Sequence, residues 1–98
     1  MTMSERQKAL AGLPYDISDP ELAAQRAAAR RALQAHNQSV ALEEDGPAQA
    51  LRDLLGAMGD NVFIETPFHC AYGVNLFLGD NVYINAGCAI LDLSLIHI

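Results

Sequence analysis

Between Leu76 and Asp92, in the stretch LFLGDNVYINAGCAILD, side-chain character recurs every six residues. Stepping by six from Ile64 meets Cys70, Leu76, Val82, Cys88 and Ser94, and the positions two further on are Thr66, Tyr72, Leu78, Ile84, Ile90 and Ile96. Neither the helical period of about 3.6 nor the strand period of about 2 yields this pattern by itself. The next position along reads Pro67, Gly73, Gly79, Asn85, Leu91 and His97. Two glycines and an asparagine, residue types that readily enter φ > 0, therefore fall on consecutive steps and mark a corner. A short strand plus a corner cannot enclose a core alone, whereas stacking such units buries their inward side chains continuously. The expectation is the wall of a parallel β-solenoid. Its strands should centre near residues 62–64, 68–70, 74–78, 82–84 and 88–90, with Leu78, Ile84 and Ile90 pointing inward. Cys70 and Cys88, three steps apart, are expected to stack on adjacent rungs as small buried hydrophobes, with no further ligand nearby for a metal.

The first half of the chain has a different period. SERQKALAG places Gln7 three residues after Ser4, the capping-box arrangement, and Gly12 can stop the helix, so residues 4–11 are predicted helical. DPELAAQRAAARRALQAHN sets Asp19 as N-cap and Pro20 at the first helical position, with arginines late, where the macrodipole favours cations; it predicts a helix over 20–37. In GPAQALRDLLGAMG, Leu51, Leu54, Leu55 and Met58 fall at i, i+3, i+4 and i+7. That stripe predicts a helix from about Pro47 to Met58 which covers the near end of the solenoid. The polar, acidic QSVALEEDG between the last two helices reads as a loop. The change of period divides the chain near residue 60, into a helical domain over 1–60 and the start of a solenoid over 61–98.

Composition narrows the function. A chain of 98 residues holds at most one domain's worth of core and excludes a large enzyme interior. The formal net charge of -6 gives no electrostatic footprint for nucleic acid or an anionic membrane surface, so neither is expected as a partner. MTMSERQKAL carries charge and no apolar h-region, and no run is long enough to span a bilayer. Two cysteines without a signal peptide make no disulfide framework, and a cytoplasmic, reducing location is the expectation.

LPYDISDPEL and RAAARRALQAHN, followed by PFHCAYGVNLFLGDNVYINAGCAILD, resemble the start of a maltose or galactoside O-acetyltransferase of the hexapeptide-repeat family. The resemblance covers nearly the whole chain, and its second half is the more specific part. It implies a small helical domain followed by a left-handed parallel β-helix with three hexads per coil, assembled as a homotrimer. It also implies acetyl transfer from acetyl-CoA, a co-substrate rather than a bound cofactor, to a sugar hydroxyl at a site between subunits.

That chemistry needs a general base for the acceptor hydroxyl and donors for the oxyanion. In the family the base is a histidine in a coil following the part that matches residues 82–92, so none of His36, His69 and His97 is expected to be catalytic. The coenzyme A site belongs to later coils as well. What the resemblance assigns to this chain is an acceptor site. Asp16 of PYD matches a carboxylate that binds sugar hydroxyls, Asn85 of VYIN matches a sugar-binding asparagine, Tyr83 lines the same pocket, and Asp92 of AILD falls beside an acidic position. Carboxylates and amides suit vicinal hydroxyls, which offer donors and acceptors together. The structural alternatives are a helix cap at Asp16, a left-handed corner at Asn85 and a solvated corner at Asp92. The chain departs from its relatives at Ala71, where they carry a polar residue before Tyr-Gly.

The tail LDLSLIHI departs too, as an aliphatic run where the family has another Gly-Asp-Asn corner, and is expected to reflect a truncated or wrongly terminated reading frame. Two functions follow: the N-terminal part of a sugar O-acetyltransferase that is inactive by itself, or a non-catalytic module that associates with itself or with a full-length relative.

Overall fold

The computed structural model describes residues 2–38 and 47–98. The expected loop at 38–46 lies outside the described residues, apart from Gln38. Helix α1 spans Glu5–Leu10 and carries the full capping box: Ser4 accepts from the Gln7 amide, and the Gln7 side chain accepts from the Ser4 amide. Gly12, at φ 76°, follows its end. Helix α2 spans Pro20–Asn37, with the Asp19 carboxylate accepting from the amides of Glu21 and Leu22. Both helices begin where their local signals place them.

Helix α3 does not run to Met58. It spans Gln49–Leu54, and the chain turns extended at Leu55 to enter strand β1, Ala57–Met58. The Leu-Leu-Met stripe fits a helix, yet pairing decides against it: Ala57 lies opposite Phe77 and Met58 opposite Leu78. Gly56 makes the exit feasible. Its amide reaches the Leu76 carbonyl at 2.9 Å, and a Cβ there would stand 2.7 Å from both the Phe77 ring and the Val74 carbonyl oxygen.

The strands that follow are β2 Phe63–Ile64, β3 His69–Cys70, β4 Leu76–Leu78, β5 Tyr83–Ile84, β6 Ala89–Ile90 and β7 Ile96–His97. Every pairing is parallel, and among the described residues they form three separate sheets: β1-β4-β7, β2-β5 and β3-β6. The registers set Ala57 against Phe77, Phe63 against Tyr83, His69 against Ala89 and Leu76 against Ile96, a constant offset of 20 residues. A strict run of three hexads would give 18. Two residues are added in the corner between β3 and β4, so Cys70 faces Ile90 and not Cys88. The expected cysteine stack is therefore replaced by a thiol against an isoleucine.

The corners also differ from expectation. Left-handed backbone occurs at Asn61, Asn81, Gly73 and Gly87, and not at Gly79 or Asn85. The inward side chains agree with the sequence: Leu78 and Ile84 are buried, and Ile90 packs half-buried against the same cluster. Leu33, Leu51 and Leu55 from the helical part join Val62, Ile64, Phe68, Cys70 and Leu76 in one core. Leu54 and Met58 border it, and a Cβ on Gly73 would collide with the Leu54 side chain.

The end of α2 completes this packing by imitating a strand. The Asn37 side chain donates to the Phe68 carbonyl and accepts from the Phe68 amide, both at 2.9 Å, as a neighbouring backbone would. Beside it the buried His36 ring contacts the Ile64 carbonyl through Nε2 at 3.0 Å and accepts from the Ala48 amide at Nδ1. No helix among the described residues is long and apolar enough to cross a membrane.

Candidate acceptor site

The long corner between β3 and β4, residues 71–75, is built around a carboxylate from the next rung. Asp92 is 0% exposed. Its Oδ1 accepts from the amides of Ala71 at 3.1 Å and Tyr72 at 2.8 Å, and its Oδ2 accepts from the Asn75 amide at 3.2 Å. Asn75 returns a bond from Nδ2 to the Asp92 carbonyl at 2.9 Å. Buried backbone amides need partners, and the carboxylate from the adjacent rung supplies them for three amides of this corner. Asp92 thus faces the protein and shapes the corner; it is neither the solvated corner nor an open sugar ligand.

Asp16 lies in the loop between α1 and α2 and is exposed. It is not the cap of α2, a role that Asp19 fills. Its Oδ1 accepts from the Ser18 hydroxyl at 2.7 Å and the Ser18 amide at 3.0 Å, and its own amide donates to Glu5 Oε2 at 2.8 Å. The Ser18 hydroxyl, then the Ser18 amide, hold the Asp16 carboxyl below the usual range. The Asp16 amide, followed by Lys8, does the same for Glu5.

Tyr83 and Asn85 stand on the outer surface at the end of β5. Tyr83 is 54% exposed while its neighbour Ile84 is buried, as strand alternation requires. Asn85 is exposed and has no left-handed backbone to explain an asparagine there. The structure brings Tyr83 and Asn85 to one surface and sets Asp16 on a separate loop. No hydrogen bond joins Asp16 to that pair among the described residues. Ala71 is half-buried and contributes its amide to Asp92.

Residues the sequence reading passed over join these parts. Arg26 of α2 donates to the Tyr72 hydroxyl at 3.3 Å. Burial first, then Tyr72, raise Tyr15 above its ordinary value. A signal for the corner was present: MGDNVFI at 58–64 and LGDNVYI at 78–84 repeat at the 20-residue offset, which sets Tyr72 opposite Asp92.

The histidines and cysteines take supporting places. His36 is buried between Ile64 and Ala48, and burial, partly offset by the Ile64 carbonyl, lowers its pKa. His69 is exposed, and exposed His97 stacks on Phe77 with centroids 4.8 Å apart. Burial, with a smaller contribution from Asp92, pushes the Cys70 thiol up to about 12.

Comparison with known proteins bears on this arrangement. Residues 8–59 match the maltose acetyltransferase hexapeptide capping motif. Nodulation protein L of Rhizobium meliloti (strain 1021) is 37% identical over all of this chain and 54% of its own length. A hexapeptide-repeat acetyltransferase of Vibrio cholerae O1 biovar eltor, solved with acetyl coenzyme A, is 34% identical with a TM-score of 0.82, over 98% of this chain and 51% of that one. A maltose O-acetyltransferase of Clostridium difficile 630 is 28% identical with a TM-score of 0.88, over 97% of this chain and 51% of that one. The chain spans about half the length of the relatives it matches.

Proposed function

We infer, from the premise that this chain belongs to the maltose and galactoside O-acetyltransferase family of hexapeptide-repeat proteins, that it supplies the acceptor-facing part of a sugar O-acetyltransferase. The reaction moves an acetyl group from acetyl-CoA to a hydroxyl of maltose, glucose or a related glycoside. The acceptor oxygen forms the new ester bond as the thioester C–S bond breaks, and the hydroxyl proton passes by way of a general base to the departing thiolate. Asp16, Tyr83 and Asn85 contact the acceptor, and Asp92 sets the corner between β3 and β4. By analogy with the family, the base comes from outside residues 1–98; His36 is enclosed by backbone partners.

The helices over 1–60 act as a cap, and the rungs begin a left-handed β-helix of a cytoplasmic homotrimer. The parallel pairings support the β-helix part of that reading. The observation that carries the acceptor role is Asn85: an exposed side-chain amide on a backbone that is not left-handed.

The test joins residues 1–92 to the remaining coils of a relative and follows thiol release from acetyl-CoA with maltose or glucose. Turnover is expected in the chimera and absent in the 98-residue chain. Asn85→Ala should lower kcat/KM by about 5- to 150-fold, the cost of about 1–3 kcal/mol for a polar group left unmet. An unchanged kcat/KM would remove Asn85 from the site.

A further inference from the structure

We propose that Glu65 is a further acceptor-binding residue, presenting one carboxylate oxygen to a sugar hydroxyl beside the side-chain amide of Asn85. The proposal rests on the acceptor role given to Asn85 above.

Register puts the two residues side by side. Strands β2 and β5 pair with Phe63 opposite Tyr83 and Ile64 opposite Ile84. The Glu65 amide donates to the Ile84 carbonyl at 2.9 Å, so the pairing runs one residue past both strands and Glu65 falls opposite Asn85. Ile64 and Ile84 belong to the core, and alternation turns the residues on either side of them outward. Phe63, Glu65, Tyr83 and Asn85 therefore share a two-by-two patch of the outer wall, with Phe63 and Glu65 half-buried and the other two exposed. Parallel neighbours lie about 4.8 Å apart, which brings the Glu65 carboxylate and the Asn85 amide within reach of one sugar ring.

The carboxylate is held, yet only half of it is used. Its Oε2 accepts from the Ala86 amide at 3.2 Å, which draws the head group across the rungs to the residue after Asn85. Among the described residues Oε1 takes no hydrogen bond, and it keeps its lone pairs for a donor. Two other carboxylates reach across the rungs in different settings. Asp92 spends both oxygens on three amides of its corner, and Asp80, which accepts from the Asp60 amide, stands beside asparagines that bond to each other. Glu65 has as its neighbour an asparagine outside that ladder. An ionised carboxylate only accepts, whereas an amide both donates and accepts, so the pair answers adjacent hydroxyls in complementary ways. The charge makes the Glu65 bond the stronger. An acceptor lacking the matching hydroxyl leaves the carboxylate without its donor, and Glu65 thereby selects among sugars.

The test titrates the 98-residue chain with maltose and follows the Asn85 and Ala86 amides by NMR, in the parent, Glu65→Gln and Glu65→Ala. Glu65→Gln keeps an oxygen for the Ala86 amide while the charge and the second acceptor go. It should leave hydrogen exchange at Ala86 unchanged and weaken maltose binding about fivefold. Glu65→Ala should weaken binding about tenfold or more and speed Ala86 exchange; should it not fold, Glu65→Gln carries the test. A series of methyl glucosides, each lacking one hydroxyl, reads the contact directly: one of them should bind parent and Glu65→Gln equally. Maltose affinity unchanged in Glu65→Gln, a loss accompanied by faster Ala86 exchange, or a loss equal for every deoxy sugar would overturn the proposal and leave Glu65 as a clamp on Ala86. In those cases a maltose response at Asn85 in the parent keeps the acceptor reading standing. If maltose moves neither amide in the parent, that reading fails and the role of Glu65 falls with it.

Discussion

Asn61 and Asn81 stand at φ 58° and 59°, and Asn61 donates from Nδ2 to Asn81 Oδ1 at 2.9 Å across the rungs. Asn85 has neither the conformation nor the ladder, which is why the same residue type reads as architecture at two positions and as a binding group at the third. Burial sorts other residues as sharply. Ile84→Ala removes methyl groups from a closed core and should lower stability by about 2–5 kcal/mol, read from the shift in urea midpoint at constant m-value; a loss under about half a kcal/mol would place Ile84 at the surface. The cysteines should separate in a thiol assay at pH 8. The thiolate is the reactive form, so Cys70, raised to about 12, should resist a chromogenic disulfide reagent until the chain unfolds, while half-buried Cys88 reacts first. Equal rates would show that Cys70 is open to solvent. The sequence made Ile84 legible because inward positions repeat locally. It left Tyr72 and Asp92 obscure because their partnership spans the turn between rungs and depends on a corner whose length no hexad count reveals.

Among the elements, the two long-range decisions lie at helix ends. Capping made the starts of α1 and α2 readable from a few neighbouring residues, since Ser4–Gln7 and Asp19–Pro20 satisfy their amides locally. The end of α3 depends on a strand 20 residues further on, so Leu51 to Met58 kept a helical rhythm in a segment that the fold divides. The end of α2 depends on Ile64 and Phe68 in the same way. Its His36 link gives stability a pH dependence. The folded pKa lies below the ordinary 6.5, so this contribution is complete above about pH 6.5 and is lost as pH falls from there through the lower folded value, where the unfolded chain takes up a proton that the buried ring refuses. Melting temperature should therefore fall between pH 7 and 5 more steeply in the parent than in His36→Gln. Parallel pH profiles would mean that the ring is not the group responsible.

For the molecule as a whole, the offset of 20 residues decides what can touch what. Every rung borrows from the next: Asp80 accepts from the Asp60 amide at 2.7 Å, Glu65 accepts from the Ala86 amide at 3.2 Å, and Asp92 closes the corner at 71–75. Asp92→Ala strips the partners from three amides, two of them at buried residues, and should cost about 3 kcal/mol or more by denaturant unfolding, a large share of a small domain's stability. A loss under about 1 kcal/mol would show that water replaces the carboxylate. The same clamp imposes an order on synthesis. A chain leaving the ribosome can wind α1 and α2 from local signals, but the Tyr72 corner has no acceptor for its amides until residue 92 has also cleared the exit tunnel. During that interval the nascent corner is open to chaperones and proteases.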